Sequence, residues 1–114
     1  MEVVNLGERL VKVTLTGRLD TQGVDRLETR FIAAVVPAAN NAIVDLSGVN
    51  FVASMGIRML IAVARSLKQR QARLALFGTT AQVKDVFEAV SLHKLIPVCA
   101  TETDALASIT IPQA

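Results

Sequence analysis

The spacing of the apolar residues changes repeatedly along this 114-residue chain, from a strand pattern to a helix pattern and back. Of all the features of the sequence, this alternation restricts the possible folds most. Apolar and polar residues alternate in "LVKVTLT", a period of two that is typical of a β-strand with one buried face. From Thr21 the period lengthens to that of a helix, with Val24, Leu27, Phe31 and Val35 along one stripe. Strand and helix patterns that follow one another in this way predict an α/β domain.

The alternation continues to the C-terminus and predicts the order ββαβαβαβα. Two β-rich runs joined by a short loop predict a hairpin, and three later apolar runs predict strands. The five predicted strands are Glu2–Leu6, Arg9–Gly17, Ala42–Leu46, Ala72–Gly78 and Leu95–Cys99. The four helices are predicted from Thr21 to about Val36, after Ser54 to about Arg70, after a Thr79/Gln82 capping box, and from about Glu102 to Ser108 with Thr101 as N-cap. We expect one domain over residues 1–114, with a small, mostly parallel sheet, an antiparallel N-terminal hairpin strand and helices packed against the sheet.

The composition excludes several classes of protein. The longest apolar run, Phe31–Ala39, contains Pro37 and is far shorter than the roughly 20 residues that cross a bilayer. The N-terminus has no basic region and no cleavage pattern of a signal peptide, and Cys99 is the single cysteine, so we expect a cytoplasmic protein without a disulfide. The lone His93 has no Cys or His at ligand spacing. The sequence therefore predicts no membrane insertion, no metal site and no cofactor.

The basic residues are unevenly distributed, although the net charge is only +2. Between Arg58 and Arg73 the chain contains basic residues and no acidic one, which favours the solvated face and C-terminal turn of a helix. The aromatic residues are all Phe and are not interleaved with this basic run. Direct binding of nucleic acid is therefore not predicted.

Ser54 lies in "VASMG", between an apolar strand and a helix. The flanks lack the first glycine of the G-x-S-x-G elbow, and the single available base, His93, has no evident orienting acid, so no catalytic residue is predicted. A serine before a first helical turn is an ordinary N-cap, which contributes about 1 kcal/mol. The same place also suits a phosphate, because free N–H groups and the positive end of the helix dipole surround it. Both interpretations of Ser54 stay open.

Two segments together resemble the bacterial anti-sigma factor antagonists and their STAS domain. These are "LTGRLD" and "IVDLSGVNFVASMGIRMLIAVARSLKQRQARLALFG", and the resemblance covers essentially the whole chain. It implies a STAS fold and a non-catalytic switch, in which an anti-sigma factor that is also a serine kinase phosphorylates a serine in a D-S-[ST]-G motif. The unphosphorylated antagonist then binds that anti-sigma factor, and a serine phosphatase is a further implied partner. By position, Ser54 matches the phosphoacceptor, Gly56 the glycine, and Gly17 and Asp20 the turn at the strand end.

Two neighbours of the serine depart from that motif, because Ala53 replaces the acid and Met55 the hydroxyl residue. An alternative is therefore a STAS scaffold without phosphorylation, or a regulatory subunit of a stress-signalling or membrane transport complex. We expect a monomer or a weak homodimer.

The helix after Ser54 has two apolar rows. One is the predicted core stripe of Ile57, Leu60, Ile61, Ala64 and Leu67. The second row consists of Met55, Met59, Ala62 and Val63. It indicates either a wide buried face or a partner-docking surface with Arg58 and Arg65 at its rim, and the docking surface is favoured because Met55 adjoins Ser54.

Overall fold

A computed structural model describes residues 1–110 of the chain. Its strands are β1 (Glu2–Gly7), β2 (Leu10–Leu19), β3 (Asn41–Val52), β4 (Leu74–Phe77) and β5 (Val98–Cys99). Its α-helices are α1 (Thr21–Val35), α2 (Ser54–Gln69), α3 (Ala81–Ala89) and α4 (Glu102–Thr110), with a 3-10 turn at Leu92–Lys94. The strands form one sheet in the order β1-β2-β3-β4-β5, in which β1 is antiparallel to β2 and all other pairs are parallel. The predicted element order and mixed sheet are confirmed.

The two faces of the sheet are covered by different helices. Residues of α1, α2 and α3, such as Phe31, Leu60 and Phe87, pack with one face of the sheet in the main hydrophobic core. The other face carries a smaller cluster, in which Ala105 and Ile109 of α4 cover β3 and β4. Because β2 and β3 are parallel neighbours, their C-terminal ends, which lead into α1 and α2, lie at one edge of the sheet.

Strand β3 is longer than its apolar run predicts. Its first part pairs with both neighbours, since Ala42–Asp45 is registered against Leu74–Phe77 of β4. Beyond that point it continues to Val52 alongside β2, where Leu19 pairs with Val52. The segment "SGVNFV" looks like a loop in the sequence, but its pairing with β2 keeps it extended. The second half of β3 therefore has a strand partner on one side alone.

Several helix and strand boundaries differ from prediction. The N-cap of α3 is Thr80, whose hydroxyl accepts from the Val83 N–H, so the Thr79/Gln82 capping box is wrong. The last strand is shorter than predicted, because the 3-10 turn occupies the approach to it. The cap of α4 is confirmed, since the Asp104 N–H donates to Thr101 Oγ1 at 3.2 Å.

Candidate functional site

The ends of β2 and β3 lie side by side and define the candidate site, which we name the Ser54 edge. The Ala53 N–H donates to the Leu19 carbonyl at 3.0 Å, directly after the last registered pair of the two strands. Asp20 and Ser54 therefore follow neighbouring strand ends at the same edge of the sheet. The topology brings these two predicted residues together, as parallel strands require.

Asp20 is held by the strand and the helix that it joins, β2 and α1. Its carboxylate accepts from the Gly23 N–H at 2.9 Å, which makes it the N-cap of α1, and from Arg18 Nε at 3.2 Å. The hydrogen bond from the Gly23 backbone, followed by that from Arg18, lowers the pKa of Asp20 below its ordinary value. The carboxylate is therefore ionised at neutral pH, and its two bonds fix the start of α1 and the position of Arg18.

Ser54 is the first residue of α2 and does not cap the helix. The N-cap is Ala53, with φ −96° and ψ 176°, and no side chain caps this helix. The prediction of a Ser54 cap is wrong because the Ala53 carbonyl already accepts from the Gly56 and Ile57 N–H groups, so the helix starts one residue earlier. The Ser54 side chain is exposed, and its hydroxyl makes no hydrogen bond within residues 1–110. A hydroxyl in this position is accessible to a modifying enzyme.

The two glycines of the site have structural roles. Gly56 is buried, and a Cβ at this position would lie 2.8 Å from the Leu19 carbonyl oxygen and 3.1 Å from Val52 Cγ1. A glycine here lets α2 start directly against the end of β2. Gly17 is exposed and has φ +87° at a register shift of β2, a conformation that favours glycine. Gly56 is thus inaccessible to a partner, whereas the backbone of Gly17 is open.

The second apolar row of α2 divides between core and surface. Met59 and Val63 are each 1% exposed and pack in the main core, so the prediction that they line a docking surface is wrong. The helix turns so that both apolar rows contribute to one wide buried face. Met55 and Ala62 are exposed, and their part in docking a partner stays a prediction.

A row of exposed residues, which we name the exposed row of α2, begins at Ser54 and runs along the helix. It consists of Ser54, Arg58, Ala62 and Arg65, which are all exposed and recur at helical spacing. Helix α2 contains no Asp or Glu. Ser54 therefore begins a cationic surface, in which Arg58 follows one turn later on the same side.

The sequence did not single out Arg18 and Phe51, which also form part of the Ser54 edge. The Arg18 guanidinium carbon lies 4.2 Å from the centroid of the Phe51 ring, in a cation–π contact. The Phe51 side chain is 39% exposed although it is large and apolar. The closeness of Phe51 to Ser54 in the sequence could have indicated that Phe51 belongs to the site. Its pairing with Arg18 could not be predicted, because it depends on the register of β2 and β3.

Within residues 1–110, no group of three His, Cys, Asp or Glu side chains is placed to hold a metal ion. In the same range, no helix combines the length and the apolar character needed to cross a bilayer.

The uncapped start of α2 gives a testable prediction. We expect Ala53→Asp to raise the free energy of unfolding by about 1 kcal/mol, because the backbone already has N-cap geometry and Asp accepts from the first-turn N–H groups. Urea unfolding measures the change, with Ala62→Asp in the middle of the same helix as the control that should not stabilise. A lower midpoint for Ala53→Asp would show that the site has no room for the carboxylate.

Comparison with known proteins agrees with this fold. The family model of the STAS domain matches residues 3–105. The chain therefore belongs to the STAS domain family.

Particular members of the family are described as anti-sigma factor antagonists. BtrV of Bordetella bronchiseptica, which is so described, is 28% identical over 94 residues, covering 82% of this chain and 81% of BtrV. The structure of an anti-sigma factor antagonist from Mycobacterium paratuberculosis superposes with a TM-score of 0.84, at 24% identity, over 96% of this chain and 92% of that one. The antagonist SpoIIAA of Bacillus, in its unphosphorylated form, gives a TM-score of 0.74 at 21% identity, over 94% and 93% of the two chains. The similarity to the two solved structures shows the shared fold.

Proposed function

We propose that this chain is an anti-sigma factor antagonist that works by binding an anti-sigma factor at the Ser54 edge. The observation that carries the proposal is the exposed Ser54 at the first position of α2, beside the exposed Met55 and the Arg18–Phe51 pair. The similarity to BtrV, over four-fifths of both chains, supports this function. No catalytic role is assigned, since the Ser54 hydroxyl has no hydrogen bond to a base or to any other group among residues 1–110.

The proposed switch is phosphorylation of Ser54 by the partner kinase and removal of the phosphate by a phosphatase. A phosphate adds about −1.5 to −2 charges at pH 7. At the first position of α2 the helix dipole stabilises that charge, and Arg58 lies one turn away to pair with it. The phosphate changes the surface from cationic to neutral or negative without disturbing the core, and so opposes docking.

A kinase assay tests this function. The purified chain is incubated with ATP and each anti-sigma factor kinase of its source organism, and intact mass is then measured. We expect one kinase to add a single phosphate to the wild type and none to Ser54→Ala, and the same kinase to bind the unmodified chain in titration calorimetry. Absence of binding by every anti-sigma factor would overturn the proposal.

A STAS scaffold without a switch is the second candidate. It is favoured by Ala53 and Met55, which remove the polar neighbours of the serine that the family motif contains. Binding of an anti-sigma factor without any added phosphate in the same assay would select this alternative.

A further inference from the structure

A small apolar notch opens at the Ser54 edge, between the end of β3 and helix α3. It arises because β3 continues beyond its pairing with β4, so that its second side has no strand neighbour. Helix α3 begins beside this free side, where the Thr80 hydroxyl donates to the Val49 carbonyl at 3.4 Å. The space left between the two elements is about 190 Å³.

The lining of this β3–α3 notch is apolar with a polar rim. Val52 and Val83 are almost fully buried, while Phe51 is 39% exposed and Val86 half-buried. Asn50 and Gln82 complete the lining and are exposed. The volume lies below the roughly 300 Å³ at which small-molecule pockets begin, and suits one apolar side chain.

The charges beside the notch indicate which residues of a partner would surround that apolar side chain. Arg18 covers the Phe51 ring and uses its Nε for Asp20, whereas its two terminal NH₂ groups have no hydrogen-bond partner within residues 1–110. Asp20 is the one acidic residue of the segments 15–20 and 54–69, and it is already bonded to Arg18 and Gly23. The surface on the β2 and α2 side of the notch is therefore short of carboxylates and complements an acidic partner, whereas α3 on the other side carries exposed Asp85 and Glu88 together with Lys84.

We propose that the protein partner of this chain inserts one apolar anchor residue into the β3–α3 notch and places carboxylates against Arg18 and the exposed row of α2. This rests on the proposed function in placing the partner at the Ser54 edge, and it extends the contact to α3, which the family resemblance did not indicate. A single anchor in a pocket, surrounded by polar contacts, is the common energetic pattern of a protein interface. The Ser54 phosphate would then stand where the partner's carboxylates approach.

Filling the notch tests the proposal. Val86→Trp and Gln82→Trp each place an indole in or over the notch, and Val90→Trp is the matched control, since Val90 is 50% exposed on α3 and does not line the notch. With the anti-sigma factor that binds the wild type, calorimetry should show about tenfold or greater weakening for a notch variant that keeps the wild-type circular dichroism, and less than about twofold for Val90→Trp. Wild-type affinity of both notch variants would overturn the proposal.

A second experiment does not depend on an anti-sigma factor. A phage library of random 12-residue peptides is selected on the wild-type chain, and the enriched peptides are measured against the three Trp variants. We expect enriched peptides with Leu, Ile, Met or Phe beside Asp or Glu, which bind Val90→Trp but not the notch variants. Enrichment of peptides that bind all variants equally, or of none at all, would overturn the notch, whereas failure of every anti-sigma factor with such peptides enriched would overturn only the proposed function.

Discussion

Met59→Asp is expected to lower the free energy of unfolding by about 4 kcal/mol or more. Met59 is 1% exposed and packs from α2 into the main core. An ionised carboxylate there would have neither water nor a cationic partner. Burying an unpaired charge is among the few single changes that cost more than about 4 kcal/mol, and a domain of this size has about 5–15 kcal/mol in total. Circular dichroism at 25 °C and a urea titration measure the loss.

Met55→Asp is the matched control, because it makes the same change one turn earlier on the same helix. Met55 is 36% exposed and lies in the first turn of α2, where a negative charge is favourable. We expect a free energy of unfolding within about 0.5 kcal/mol of the wild type. If Met59→Asp also kept the wild-type urea midpoint, Met59 would have to lie at the surface, as its place in the second apolar row of α2 first suggested.

The order of the elements could be predicted well from the sequence, because the hydrophobic period of two in strands and of about 3.6 in helices shows which residues face the core. The sequence alone does not show which face of α2 is buried. Both rows are apolar, so the pattern is compatible with a narrow core stripe plus a docking surface or with one wide buried face. The choice depends on tertiary packing, in which Gly56 at the start of α2 closely approaches Leu19 of β2 while Met59 lies in the main core. That contact joins residues far apart in sequence.

Local sequence rules also failed where tertiary pairing decided the outcome. A serine before a helix is a good cap by propensity, yet Ala53, which is bonded to Leu19 at the end of β2, accepts the first N–H groups of α2 and takes the N-cap position. The resemblance and the strand order brought Asp20 and Ser54 to one edge. Arg18, Phe51 and the β3–α3 notch could not be found in the same way, since they exist only through the register of β2 on β3 and the place of α3 beside the strand end.

Ser54→Asp is expected to weaken binding of the anti-sigma factor by about tenfold or more while the protein remains fully folded. The carboxylate stands at the head of the exposed row, beside Met55, where the proposed partner is acidic. In the same position it interacts favourably with the dipole of α2, so the free energy of unfolding should rise by about 0.3–1 kcal/mol. Binding and stability therefore move in opposite directions, which a folding defect cannot produce.

Calorimetry and urea unfolding of the same samples check both effects, and the controls separate charge from loss of the hydroxyl. Ser54→Ala should bind within about twofold of the wild type, because its surface stays cationic. Thr29→Asp, at an exposed hydroxyl two turns into α1, should also bind normally, since its charge is remote from the Ser54 edge. The enzymatically phosphorylated chain should lose more affinity than Ser54→Asp, because a phosphate carries about twice the charge of a carboxylate. Equal affinity of the wild type and the phosphorylated chain would contradict the switch and leave a STAS domain whose serine does not regulate binding.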